Sequence, residues 1–103
     1  MIKIKRKSPY QIFLDTYGEE AQLDMAIEEM SELIKAICKY KRFYKTANAS
    51  EKERLVNDII EETADVALNI EKLAYIFGTQ KVEAMKEFKL NKGLEQAKSA
   101  KKE

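Results

Sequence analysis

Two short acidic runs, Glu28-Glu29-Met30-Ser31-Glu32 and Glu61-Glu62-Thr63-Ala64-Asp65, lie about thirty residues apart in the chain. Each residue advances an α-helix by about 100°, so carboxylates three or four positions apart share a face and each run aims a small cluster at one point. Two such clusters facing each other make a site for a hard cation. Their phase against the apolar residues separates them from ordinary helix surface. With Glu62 as origin, Leu55, Ile59, Val66, Ile70, Leu73 and Phe77 fall within about 80° on one side, with Asp65 and Asn69 at the margin beside Ile76. Relative to Glu29, Ala26, Leu33, Ala36 and Tyr40 lie within about 60°, and Glu32 falls on the edge next to Ala36. Both clusters thus point partly inward. Unpaired carboxylates there are costly and converging ones repel, so a cation must neutralise them. The alternative is that these are solvated glutamates paired with lysines such as Lys35 or Lys72.

The chain has no histidine and a single cysteine, Cys38. That argues against zinc, against a Glu-x-x-His di-iron arrangement and against a histidine-assisted nucleophile. Oxygen-only ligation favours Mg²⁺, with Mn²⁺ as a substitute. Cys38 cannot form an internal disulfide and is expected to be a buried or semi-buried inert helix thiol, in keeping with a reducing cytoplasm.

From about Tyr10 to Leu94 the chain resembles the MazG-like, all-α nucleoside triphosphate pyrophosphohydrolases, whose signature is E-E-x-x-E, a spacer, then E-E-x-x-D, with the second Glu of each pair a metal ligand. Tyr17-Gly18-Glu19-Glu20-Ala21-Gln22-Leu23 looks like that family's lead-in to its first motif. Gly78 ends the second long helix where expected, and Lys89-Leu90-Asn91-Lys92 is similar to its C-terminal basic element, although arginine often stands where this chain has Lys92. The resemblance implies Glu29, Glu32, Glu62 and Asp65 as Mg²⁺ ligands. It also implies hydrolysis between the α and β phosphorus atoms of a nucleoside triphosphate, giving the monophosphate and pyrophosphate.

With no histidine present, a carboxylate must take the proton of the attacking water; Glu29 is the first choice, with Glu28 or Glu61 as supporting acidic residues. Lys89 and Lys92, with Asn91, are expected at the β and γ phosphates, unless they are ordinary solvated residues. Asn69 and Gln22 are candidates for hydrogen bonds to sugar or base. Tyr10, Phe13, Tyr17, Tyr40, Phe43 and Tyr44 are candidates for a stacking wall, although core packing or dimer contact is the better account of most of them. Three other readings fit the same residues: a phosphoribosyl-ATP pyrophosphohydrolase, a non-catalytic helical dimer that binds nucleotide or metal, and a purely structural helical dimer.

The elements that must position these residues are four helices. Ser8-Pro9 is an N-cap followed by a first-turn proline, opening a short helix over Tyr10–Asp15 that closes near Gly18. The first long helix is expected over 20–45, a turn over 46–49, and a capping box of Ser50 with Glu53 opens a second long helix ending at Gly78. Thr79 is expected to cap a last helix over 80–96, with a Lys-rich tail at 97–103 that frays and an N-terminal arm, or short strand, at 1–7. Helices of about 26 residues approach 40 Å in length, and their apolar arcs are broader than one hairpin buries. The expected architecture is therefore an all-α, four-helix chain with two long antiparallel helices, assembling with its own copies into a helical bundle, at least a dimer.

Composition sets bounds on all of this. A chain of 103 residues with 45% apolar content holds one small domain, and its net charge of +1 implies no broad field for a nucleic acid polymer. No apolar run is long enough to span a membrane, and no signal-peptide core follows the basic start.

Overall fold

A computed structural model describes residues 6–101 of the chain, and in it every regular element is helical. The order is α1 (Pro9–Tyr17), α2 (Glu19–Phe43), a single 3₁₀ turn over Tyr44–Thr46, α3 (Ala49–Phe77) and α4 (Thr79–Lys101). The chain divides into two compact units, residues 1–73 and 74–103, with α3 running across the division.

In the first unit, Ser8 caps α1 as its position before a proline requires. Its Oγ accepts a hydrogen bond from the Gln11 amide at 3.2 Å, and Pro9 fills the first turn, where no amide donor is missed. Gly18 separates α1 from α2 at φ 85° and ψ 162°, a conformation that a side chain opposes. A Cβ there would meet nothing within 4 Å, so the demand for glycine is conformational and not steric. Helices α2 and α3 then run antiparallel. Lys72 near the end of α3 reaches Met25 Sδ at 3.6 Å, whereas Asp58, earlier on α3, shares a depression with Ala36, further along α2. Helix α1 is tied to α3 by a Tyr10 hydroxyl to Glu71 hydrogen bond and by Lys72 Nζ lying 4.7 Å from the centre of the Phe13 ring.

Several expected details differ. The capping box that opens α3 is Asn48 with Glu51, not Ser50 with Glu53. Asn48 Oδ1 accepts from the Glu51 amide at 2.9 Å, and Asn48 Nδ2 donates to Glu51 Oε1 at 3.1 Å. Asparagine caps as well as serine, and the earlier of two competent caps starts the helix. The first long helix ends in the 3₁₀ turn at Tyr44–Thr46, where Ala47 donates to Tyr44 O at 3.3 Å. On α3, Ile70 and Phe77 are exposed, so the apolar arc beside Glu62 is narrower than its sequence pattern, and Cys38 on α2, expected to be buried or semi-buried, is exposed because it lies off the face packed on α3.

In the second unit, Gly78 at φ 128° breaks α3 from α4. Thr79 begins α4 without capping it; its hydroxyl faces back to Ala74 O at 3.5 Å. Helix α4 continues through Lys101 instead of ending near residue 96, because Ala97, Lys98, Ala100 and Lys101 are good helix formers with no breaker among them. Arg6 and Lys7 are exposed, with Lys7 Nζ 2.7 Å from Asp15 Oδ2; the rest of the expected arm, residues 1–5, lies outside the described residues. No helix among the described residues is long and apolar enough to cross a membrane.

Candidate metal centre

The antiparallel pairing of α2 and α3 brings one acidic run against the other. Glu29 from α2 and Glu62 and Asp65 from α3 each place a carboxylate oxygen so that all three lie within 4.8 Å of one another. All three residues are half-buried, as their margin phase requires. One Glu62 oxygen, Oε2, is fully buried and has no hydrogen-bond partner. No ion pair to Glu29, Glu62 or Asp65 is present among the described residues.

The electrostatic consequence is that two of these carboxyls hold their protons more tightly than usual. Partial burial is the largest cause for both. The Asp65 charge comes next in each, followed for Glu29 by Glu28 and Glu32, and for Glu62 by Glu29, Glu61 and Glu32. Glu28 and Glu61 are exposed and act on the cluster through charge.

Glu32 does not join the tight group. It sits one turn beyond Glu29, its Oε1 is 3.4 Å from Lys35 Nζ, and it lines a shallow depression with Lys35, Ala36, Lys39, Asp58 and Glu62. The structure therefore gathers three of the four expected ligands, with the fourth at the rim beside a lysine. Lys35, expected as a pairing lysine, does pair with Glu32, and one turn on Lys39 lines the same depression, with Asp58 adding an acid from α3. The signal for Lys39 was available, since it continues the face of Lys35, but lysine is so common here that spacing alone did not single it out.

Two further candidates lie on the same helix faces. Gln22 is two turns before Glu29 and only 2% exposed; Asn69 is one turn after Asp65 and 4% exposed. Asn69 Nδ2 donates to the Asp65 carbonyl at 2.8 Å, leaving Asn69 Oδ1 and Gln22 Nε2 buried without partners. Buried amides normally find partners, so these two side chains offer one free donor and one free acceptor on the faces that carry the carboxylates. Of the aromatic residues, Tyr40 and Tyr44 lie 4.6 Å apart between ring centres with their planes tilted by 31°, while Tyr17 and Phe43 are exposed. Lys89, Asn91 and Lys92 are exposed residues of α4, in the second unit.

The donor set suits a hard divalent cation. It is all oxygen, it is anionic, it converges within bonding reach of one ion, and it leaves a buried oxygen orphaned without one. No protein-family model matches the chain, and no curated protein or solved structure matches it either.

Proposed function

We propose that the protein is a Mg²⁺-dependent nucleoside triphosphate pyrophosphohydrolase, cleaving the α–β linkage to yield a monophosphate and pyrophosphate. The observation that carries this reading is the convergence of Glu29, Glu62 and Asp65 with a buried, unpartnered Glu62 oxygen. The resemblance of the two acidic motifs to those of the MazG-like enzymes supplies the reaction class. Glu29, Glu62 and Asp65 would hold the cation, with Glu32 able to join by releasing Lys35. A bound Mg²⁺ supplies charge neutralisation for the phosphate oxygens and makes water more acidic.

The chain's own residues do the rest. Water oxygen attacks the α phosphorus, the bond to the bridging oxygen breaks in line, and the pyrophosphate leaves with the electron pair. The proton lost by water passes to a carboxylate. Glu29 is the proposed acceptor, since a carboxyl whose proton affinity is raised by burial and by its acidic neighbours is the better base. Lys39 and Lys35, which line the same depression as Glu62, meet the phosphate chain. Lys89 and Lys92, with Asn91, belong to the proposal as further contacts on the resemblance of their segment alone. Gln22 and Asn69 offer their free donor and acceptor to sugar or base.

A panel of common, deoxy and damaged nucleoside triphosphates with Mg²⁺ or Mn²⁺, scored for pyrophosphate against orthophosphate, tests the reading. Orthophosphate release, or no turnover with any member of the panel, overturns it. Turnover confined to phosphoribosyl-ATP assigns the related activity instead. Binding of Mg²⁺ and nucleotide without turnover assigns a sensor.

A further inference from the structure

The turn that joins α2 to α3 gathers cations and aromatic rings. Residues 41–54 carry Lys41, Arg42, Lys45, Lys52 and Arg54 against Glu51 and Glu53, a net charge of +3 on a chain whose remaining residues sum to −2. The whole-chain charge of +1 hides this local field. Lys41, Arg42, Lys45 and Arg54 are exposed, and no ion pair to any of the five cations is present among the described residues. The dipole of α2 favours Lys41 and Arg42 in its last turn, whereas Lys52 and Arg54 stand in the opening turns of α3, where the dipole gives no such support.

Phe43 is 47% exposed, the one large hydrophobic residue between positions 39 and 54 that is exposed. The Arg42 guanidinium carbon lies 5.7 Å from the centre of its ring. Phe43 and Arg54, with Ala47, Glu51 and Leu55, line a depression of about 190 Å³. That is below the usual volume for a whole small-molecule ligand, so it suits one ring of something that extends beyond it. Glu51 Oε1 accepts from Asn48 Nδ2, which ties this acid to the helix cap, and Arg54 is left without a counter-ion. The pairing of ring with cation recurs at Tyr44, where Lys52 Nζ lies 5.0 Å from the ring centre. Phe43 stands fourteen residues beyond Glu29 on α2, about 21 Å along the helix, so the depression is separate from the carboxylates.

We infer that this turn is a docking site for single-stranded nucleic acid, with one unpaired base entering the depression against Phe43 while neighbouring phosphates meet Arg42, Lys45 and Arg54. The inference is independent of the hydrolase reading. A single strand offers what the turn is shaped for, a planar ring beside each negative charge, and aromatic stacking with cation contact is how such strands are held without sequence preference. A duplex keeps its bases stacked inside and presents no ring to Phe43. An anionic membrane surface is a poorer fit, because one exposed large apolar residue buries little in a bilayer interface.

Fluorescence anisotropy with a labelled single strand of about twenty nucleotides, carrying a 5′ hydroxyl, tests this in EDTA, where the carboxylates hold no metal. Micromolar binding is expected at low salt, falling with salt at a log–log slope of about −2, as three neutralised phosphates give. Phe43→Ala and Phe43→Leu should each weaken binding about tenfold, and Phe43→Tyr should keep it, since a ring is needed and bulk alone is not enough. Arg42→Gln/Arg54→Gln, which changes exposed side chains only, should weaken it by about tenfold or more at low salt and flatten the slope to about −1. Lys98→Gln/Lys101→Gln, removing the same charge from the end of α4, should stay within about twofold, as should Glu62→Gln. The matched duplex should bind at least about tenfold more weakly. No binding of the single strand overturns the inference, as does a duplex held equally well. So does wild-type affinity in Phe43→Leu, an equal loss from the α4 variant, or binding to anionic vesicles without binding to the oligonucleotide.

Discussion

Glu62 concentrates the conflict at the proposed centre: its buried oxygen lacks a partner, and it faces Glu29 and Asp65 with no cation paired to the group among the described residues. Glu62→Gln and Glu29→Gln are each expected to reduce metal-dependent turnover by more than about 100-fold, as loss of a metal ligand does. Steady-state pyrophosphate release measures it, and wild-type rates in both variants would sink the assignment. In metal-free protein the same changes should raise the melting temperature, because a neutral amide removes the repulsion. The pH dependence follows from the same cause. Glu29 and Glu62 bind protons more tightly folded than unfolded, so the folded state holds more protons across that window. Their contribution is therefore most favourable at or below the ordinary carboxylate range and is lost as pH rises through their raised values. Melts in EDTA between about pH 4 and 7 should show the wild type losing stability relative to Glu62→Gln as pH rises. An unchanging difference between the two would mean that Glu62 is not held in this environment.

At the scale of elements, the start of α3 decides where its acidic run lies relative to that of α2. Asn48 and Glu51 cap each other there. Asn48→Ala should cost about 1 kcal/mol of stability, whereas Ser50→Ala, just inside the helix, should stay within about 0.5 kcal/mol. Denaturant melts separate the two, and the opposite ranking would return the cap to Ser50. The phosphate contacts are also a question of element, α2 against α4. Lys39→Ala should raise KM or lower turnover by about tenfold or more while Mg²⁺ binding is kept, because Lys39 lines the depression beside the carboxylate group without being one of its ligands. Lys89→Ala and Lys92→Ala should do the same if α4 contributes, with truncation after Gln96 having little effect. Silence of Lys39→Ala together with loss from Lys89→Ala would assign the phosphates to α4 alone.

For the whole molecule, a cation that binds only the folded protein stabilises it by mass action, by about 2.7 kcal/mol at a concentration one hundred times its dissociation constant. Mg²⁺ should accordingly raise the melting temperature of the wild type, EDTA should reverse the gain, and Glu62→Gln should show little of it at the same protein concentration. A structural helical dimer without a metal centre predicts no Mg²⁺ effect on either chain.

The sequence by itself determined the helical class, the caps and breaks at Ser8, Gly18 and Gly78, and the inward phase of Glu29, Glu62 and Asp65, because helical period and backbone preference act over a few neighbouring residues. It also picked out Gln22 and Asn69, whose burial follows from sharing those faces. Local pattern did not decide between Asn48 and Ser50 as the cap, since both are competent and two residues apart. Nor did it separate Glu32 from the other three carboxylates, or raise Lys39 above the remaining lysines. Those distinctions depend on how α2 and α3 are aligned along each other, which leaves Glu32 outside the tight group and brings Lys39 to the depression that Glu62 lines. Only the tertiary structure decided them, because the distance between side chains on two helices is a property of their packing register and is not contained in the period of either one.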